Sequence, residues 1–352
     1  LAQSDRTWVE IDLAAIRENA RTVLARAKGA RLLPMLKADA YGLGAVRVAR
    51  ALEELDPWGY GVATADEGRG LRESGITRPI LVIQPVTPML EQCAALGLTP
   101  ALGTASDIAR WTGRTKLPFH VGVDTGMNRG GIWWEDFSRA ADAFKDAPGF
   151  EGLMTHFHSA DSDRRAVRTQ WRRFQKALAA LPRRPKLVHA ANSAAALGHP
   201  EVAADLVRPG IFLYGGAAGK HRPKAVVTWR ARIARVARRE KGTSVSYGAS
   251  WRAKRPVWIT TVAAGYADGY RRTLSNVSDV LIAGTRCRVT GAVTMDFTMV
   301  RSHEPPDADA IATLIGTDGG EAITLDDLAA QAGTITYEIL TGLGARVERV
   351  YK

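Results

Sequence analysis

Between residue 12 and about residue 216, short apolar runs alternate with longer stretches of helical pattern. The runs are "RLLPML" from Arg31, "GYGVAT" from Gly59, "PILVIQP" from Pro79, "LTPALG" from Leu98, "PFHVGVD" from Pro118, "FEGLMTHF" from Phe150, "KLVHAAN" from Lys186 and "DLVRPGIFLYG" from Asp205. Between them lie segments such as "AAIRENARTVLARA" and "WRRFQKALAAL", and the runs recur mostly about 20–35 residues apart. Regular alternation of strand and helix predicts parallel strands joined by crossovers. Eight such strands predict a (β/α)8, TIM-type barrel. A doubly wound open sheet is the alternative, but no glycine-rich phosphate loop follows the first strand.

After "GGAAGKHRPK" (215–224) the texture changes. "AVVTWRARI", "PVWITTVAAGY", "DVLIAGTRCRVTGAV" and "FTMVRS" read as short strands broken by Gly, Asn and Pro, and helical pattern is sparse until "TLDDLAAQAG". The pattern therefore predicts a barrel over 12–220 and a mostly β domain over 221–352. The opening segment 1–11, with its strand-like "RTWVEI", is expected to join the second domain's sheet.

Composition narrows the class. A chain of 352 residues, 46% of them apolar, can bury a large core. No apolar run reaches the roughly 18 residues that span a bilayer, so no membrane partner is expected. No stretch near Leu1 has the regions of a secretory signal, although a chain beginning at Leu rather than Met leaves room for an upstream segment. Cys93 and Cys287 stand far apart and give no disulfide framework, which suits a reducing cytoplasm. The net charge of +12 raises the question of nucleic acid, but no nucleic-acid motif accompanies it. The arginines instead alternate with apolar residues, as in "TWRARIARVARR", and are read as solubility and attraction of anionic ligands.

Candidate chemistry gathers where such barrels keep it, at the carboxyl ends of the strands. The run ending "LPMLKADAYGLG" brings Lys37 to a strand end. One reading is a lysine that snorkels to solvent. The other is a Schiff-base lysine, made nucleophilic because burial disfavours its charge. Asn192 and Ser193 of "ANSAA" start a helix, and Gly210 of "RPGI" allows close backbone approach; hydroxyl and N–H groups of this kind can cradle a phosphate. His156 and His158 form an H-x-H pair, but no further ligands at zinc spacing accompany it, so no metal is expected. Asp161, Asp163 and Asp268 are read as caps or loop acceptors.

These motifs together resemble the alanine racemase family. "LKADAYGLG", "DTGMNRGG", "THF", "ANSAA" and "VRPGIFLYG" follow the family's order, and "SVSYGASW", "GYADGY", "TMD" and "YEILTGLGARVERVY" continue the likeness to the end of the chain. The resemblance implies a pyridoxal phosphate (PLP) enzyme that interconverts L- and D-alanine for peptidoglycan, a homodimer whose active sites are built from both subunits. It implies that Lys37 carries PLP and is one base, and that Tyr247 of the other subunit is the opposing base. Tyr41, Asn192, Ser193, Gly210 and Ile211 are implied around the phosphate, and Arg208 opposite the pyridine nitrogen, with His156 and His189 in the surrounding network. Arg129 and the segment Met295–Asp296 are implied to receive the substrate carboxylate, with Tyr266 near the entrance. The chemistry asks for two bases on opposite faces of the inverted carbon. Tyrosine, with a pKa of about 10, needs a nearby cation, which Arg129 can supply.

The chain departs from the family pattern at Leu43, Phe297 and Ala345, and most notably at Gly122, where many members have a carbamylated lysine. A chloride ion beside Arg129 is the expected replacement. Alternatives are a broader racemase acting on serine or basic amino acids, a PLP decarboxylase on the related barrel, and a non-catalytic PLP carrier.

Overall fold

The computed structural model describes residues 5–27, 29–307 and 309–352; residues 1–4 of the expected opening strand lie outside them. The chain divides into two compact units. One comprises Ile16–Leu213 and Ala217–Pro223, and the other takes the chain up to Ala15, Tyr214–Gly216 and Lys224–Lys352.

In the first unit eight strands pair side by side, in the order Arg31–Leu32, Leu206–Arg208, Leu187–Asn192, Phe150–Met154, Phe119–Asp124, Thr99–Leu102, Ile80–Ile83 and Tyr60–Val62. Every pairing on this path is parallel. A parallel bridge between Met35 and Gly61, with Trp58 N–H donating to the Leu32 carbonyl at 2.8 Å, joins the two ends of the path. The result is the (β/α)8 barrel that the apolar runs predict. Leu33, Trp58, Leu81, Ala101, Met154 and Leu206, drawn from six of the eight strands and their approaches, pack as one buried cluster.

The last run departs from expectation. "DLVRPGIFLYG" is strand only over Leu206–Arg208, because Pro209 has no N–H for a ladder and the Gly210 N–H donates instead to Ser193 Oγ at 2.9 Å. Helices begin at side-chain caps, two of which, Asn192 and Asp163, the sequence leads one to expect. Thr64 caps Ala65–Glu73 with Glu67 completing a capping box, Asn192 caps Ser193–Gly198, and Asp163 caps Arg164–Ala179.

The second unit is a nine-stranded sheet. Its long strand Val227–Arg239 pairs with Val257–Val262 and also with Ile311–Asp318, so that six strands form a closed ring. Thr7–Ile11 joins this sheet, antiparallel to Val227–Arg239 and parallel to Glu348–Tyr351. The strand Ile311–Asp318 carries no expectation from the sequence pattern. Among the described residues, no helix is long and apolar enough to cross a membrane.

Candidate active site

Lys37 follows the first barrel strand and opens a turn of unusual hand. Ala38, Asp39, Ala40 and Tyr41 all have φ between 52° and 61°, a left-handed turn built without glycine. Each such residue costs on the order of 1–2 kcal/mol, and the surroundings hold the turn in place. Ala38 N–H donates to Glu67 Oε1 at 2.7 Å, and Ala45 N–H to Asp39 Oδ1 at 2.7 Å. The other Glu67 oxygen accepts from Ala63 N–H at 2.7 Å, so one carboxylate ties the next strand's helix to the lysine turn. Backbone strain of this kind concentrates at functional sites.

The turn carries the Tyr41 hydroxyl to Gly210. A Cβ at Gly210 would lie 2.2 Å from Tyr41 Oη, so only glycine leaves the hydroxyl its place. Ser193 Oγ also reaches this point and accepts from Gly210 N–H at 2.9 Å. Ile211 follows, buried, and Asn192 fixes the helix start by accepting from Ala195 N–H at 3.0 Å. Two hydroxyls, that of Ser193 at a helix start and that of Tyr41, thus converge on a glycine, a cradle suited to a phosphate.

Arg208 is 3% exposed. Its guanidinium donates to His189 Nδ1 at 2.7 Å, to the Thr155 carbonyl at 2.7 Å and to the Ala190 carbonyl at 3.1 Å, and lies 3.3 Å from His156 Nδ1. Burial, with Arg129 adding repulsion, pushes its pKa down to about 9. Burial also lowers the Lys37 pKa, and the charges of Arg129 and Arg208 lower it further, against Glu67, which raises it. His156 falls to about 3, through burial and the charges of Arg208, Arg129 and Lys37, so its imidazole is neutral. The lysine therefore sits in a positive field that favours its uncharged form.

Arg129 lies on the loop after Phe119–Asp124, where Asp124 Oδ1 accepts from Gly126 N–H at 2.9 Å and Asn128 N–H at 3.1 Å. Its side chain is exposed in the single chain. Next to it a small cavity, with room of about 10 Å³, is lined by Gln84, Gly122, Asp124, Arg129 and His156. A Cβ at Gly122 would meet nothing closer than 3.6 Å, so packing does not dictate glycine there.

The other candidates belong to the β-rich unit. Tyr247 is 74% exposed on the short turn Tyr247–Ala249, behind Ser246, whose Oγ donates to the Ala292 carbonyl at 2.6 Å. Met295 is 53% and Tyr266 43% exposed, and the two segments are laced together by Tyr266 N–H to the Thr294 carbonyl and Ala267 N–H to the Met295 carbonyl, each at 3.0 Å. Asp296 Oδ1 meets Arg346 at 2.8 Å. Arg346 also grips Asp268 at 2.6 Å; Asp268 is fully buried and accepts from Gly265 N–H at 2.8 Å. Asp268 is thus a loop anchor, as its sequence context predicts. Arg346 and Glu67 carry no expectation from the sequence, although "TADE" (64–67) shows the capping box that places Glu67.

His158 is exposed and lies 2.7 Å from Ser159 Oγ. Among the described residues, no three His, Cys, Asp or Glu side chains group so as to hold a metal ion.

Comparison with known proteins places this geometry. Residues 11–218 match the family "Alanine racemase, N-terminal domain", and residues 226–351 match "Alanine racemase, C-terminal domain". The alanine racemase of Symbiobacterium thermophilum is 41% identical, over 98% of this chain and 97% of its own. A solved alanine racemase from Bartonella henselae, with covalently bound pyridoxal phosphate, superposes with a TM-score of 0.91 at 30% identity, covering 99% of this chain and all of that one. A histidine racemase from Leuconostoc mesenteroides superposes with a TM-score of 0.89 at 26% identity, covering 100% and 99%.

Proposed function

The chain belongs to the alanine racemase family, and from that premise we propose that it is a PLP-dependent racemase interconverting L- and D-alanine. The observation that carries the proposal is Lys37 on its left-handed turn, its charge disfavoured by burial and by Arg129 and Arg208, with Tyr41 and Ser193 converging on Gly210. These residues fit the cofactor. Lys37 would hold its aldehyde carbon, and Tyr41, Ser193, Gly210 and Ile211 its phosphate. Arg208 would face its ring nitrogen, with His156 beside the ring. Residues 12–220 would form the cofactor domain and 221–352, with the opening strand, the domain that completes a partner's site.

When bound, pyridoxal phosphate supplies an electron sink that makes the Cα proton of an attached amino acid removable. The chain's own groups then do the rest. Lys37 Nζ holds or releases that proton on one face, where burial and the charges of Arg129 and Arg208 favour its uncharged, basic form. The partner subunit's Tyr247 serves the opposite face, which is why a phenol stands 74% exposed on the single chain. Arg129 and the backbone at Met295, with Asp296 next in the chain, would receive the carboxylate, and Tyr266 would flank the entrance. Arg208 can only donate hydrogen bonds, so opposite the ring nitrogen it would leave that nitrogen unprotonated and would moderate the sink. That favours return of the proton over side reactions.

Near Arg129 the reading extends to one chloride in the space beside Gly122. Activity is expected to fall in halide-free buffer and to return with bromide, which would scatter anomalously beside Arg129. The product is read as D-alanine for peptidoglycan, made in the cytoplasm. Likeness to a histidine racemase favours one second reading, a racemase of wider substrate range. A chiral assay with PLP across alanine, serine, histidine and lysine tests both, and measuring CO₂ release covers the decarboxylase alternative. Alanine racemised far faster than the rest supports the first reading. Comparable rates support the second, and no racemisation of any amino acid refutes both.

A further inference from the structure

Arg208 is a buried cation whose acceptors are all neutral: one imidazole at 2.7 Å, another at 3.3 Å, and two carbonyls. Among the described residues no carboxylate touches it, and an uncompensated buried charge is costly. One acid is nonetheless connected to it. His189 Nε2 lies 2.8 Å from His120 Nδ1, and His120 Nε2, which has no hydrogen-bond partner of its own, lies 3.7 Å from Glu151 Oε2. Both rings are fully buried, whereas Glu151 is partly open to solvent near Lys186. Burial keeps both imidazoles neutral, so each carries one proton. Arginine only donates, so His189 Nδ1 must accept. His189 then holds its proton on Nε2 and gives it to His120 Nδ1, and the His120 proton is left on Nε2, aimed at Glu151. The neighbouring strand makes room for this arrangement, since a Cβ at Gly152 would sit 2.6 Å from the His120 ring.

We infer that Glu151, through the one-way chain His120–His189, is the remote counter-charge that orients Arg208, and so a positioning residue for the ring-nitrogen end of the site. The link to the ring nitrogen rests on the racemase reading; the chain itself does not. The test uses the purified PLP-loaded protein with ¹⁵N-labelled histidine rings, the resonances being assigned with His120→Gln and His189→Gln. In the wild type both rings are expected to be neutral and protonated on Nε2. Glu151→Gln keeps an oxygen acceptor but no charge. It is expected to keep both tautomers and to lower kcat about tenfold with little change in KM, by analogy with the low end of the range for outer hydrogen-bond partners of metal-bound histidines. Glu151→Leu removes the carboxylate that faces Nε2–H and is expected to move the His120 Nε2 resonance, while the tautomer stays fixed from the Arg208 end. A wild-type ring protonated on Nδ1 overturns the inference, and so does a Glu151→Leu protein with unchanged histidine spectra. Expected tautomers in a protein that racemises nothing would refute the racemase reading alone.

Discussion

The two units of this chain hold their chemistry in opposite ways. Apart from Arg129, the barrel keeps its candidate groups inside and occupied: Arg208 and His189 are buried, Ser193 is engaged by Gly210, and Lys37 sits in a field set by its neighbours. The β-rich unit leaves its candidates outside. Of the eight large apolar side chains exposed among the described residues, all but Val86 belong to it, including Tyr247, Tyr266, Met295 and Phe297. A group that must respond to burial and field is best held in a rigid interior, whereas a group destined for another surface must stay open until it meets one. The β-rich unit is read as the half of a site that only a second copy completes.

Breaking either half should be costly, but in different ways. The largest effect is expected from Lys37→Ala, which should remove both racemisation and cofactor attachment. Borohydride reduction and peptide mapping should find the pyridoxyl group on Lys37 in the wild type and nowhere in the variant. Tyr247→Phe should still take up PLP with an unchanged absorption spectrum, yet lose on the order of 10²–10⁴-fold in kcat, the usual contribution of one acid–base group. Loss of PLP binding in Tyr247→Phe would contradict the division between the units.

Gly210→Ala sharpens the barrel side. The new methyl would press on Tyr41 Oη, and PLP affinity is expected to fall about tenfold or more, the typical penalty for overpacking a tight site. Adding Tyr41→Phe should relieve part of the clash and recover some affinity, measured by equilibrium dialysis. If Gly210→Ala binds PLP as tightly as the wild type, the cradle is elsewhere.

A smaller effect is expected from Glu67→Gln. Glu67 raises the Lys37 pKa, so removing its charge lets that pKa fall further and moves the acid limb of the pH–activity profile to lower pH. Gln still completes the capping box but has one acceptor oxygen, so the bond to Ala38 or Ala63 N–H is lost, at about 1 kcal/mol and a few degrees in melting temperature. A shift of the acid limb to higher pH would mean that Glu67 acts on a different group.

Much of this was legible in the chain, and for physical reasons. Buried parallel strands must be apolar on both faces, so the eight barrel strands stand out as runs. The last run overstates its strand because apolar character continues through "IFLYG" while Pro209 ends the ladder. Caps such as Asp163 and Asn192 act within three residues and are therefore visible. Groups that act across the chain are not. Asp268 meets Arg346 and Arg6 at separations of 78 and 262 residues, and His120 meets His189 across 69. The left-handed turn after Lys37 was equally hidden, since alanine has no preference for positive φ and only tertiary contacts through Glu67 and Asp39 impose it.

The division between a finished barrel and an open β-rich unit is tested most directly by subunit mixing. Lys37→Ala and Tyr247→Phe proteins, each nearly inactive alone, are unfolded, mixed in equal amounts and refolded with PLP. Half the dimers should then be mixed, each carrying one intact site, so about a quarter of wild-type activity should return. Mixed dimers demonstrated by mass tags, with no activity regained, would contradict the account.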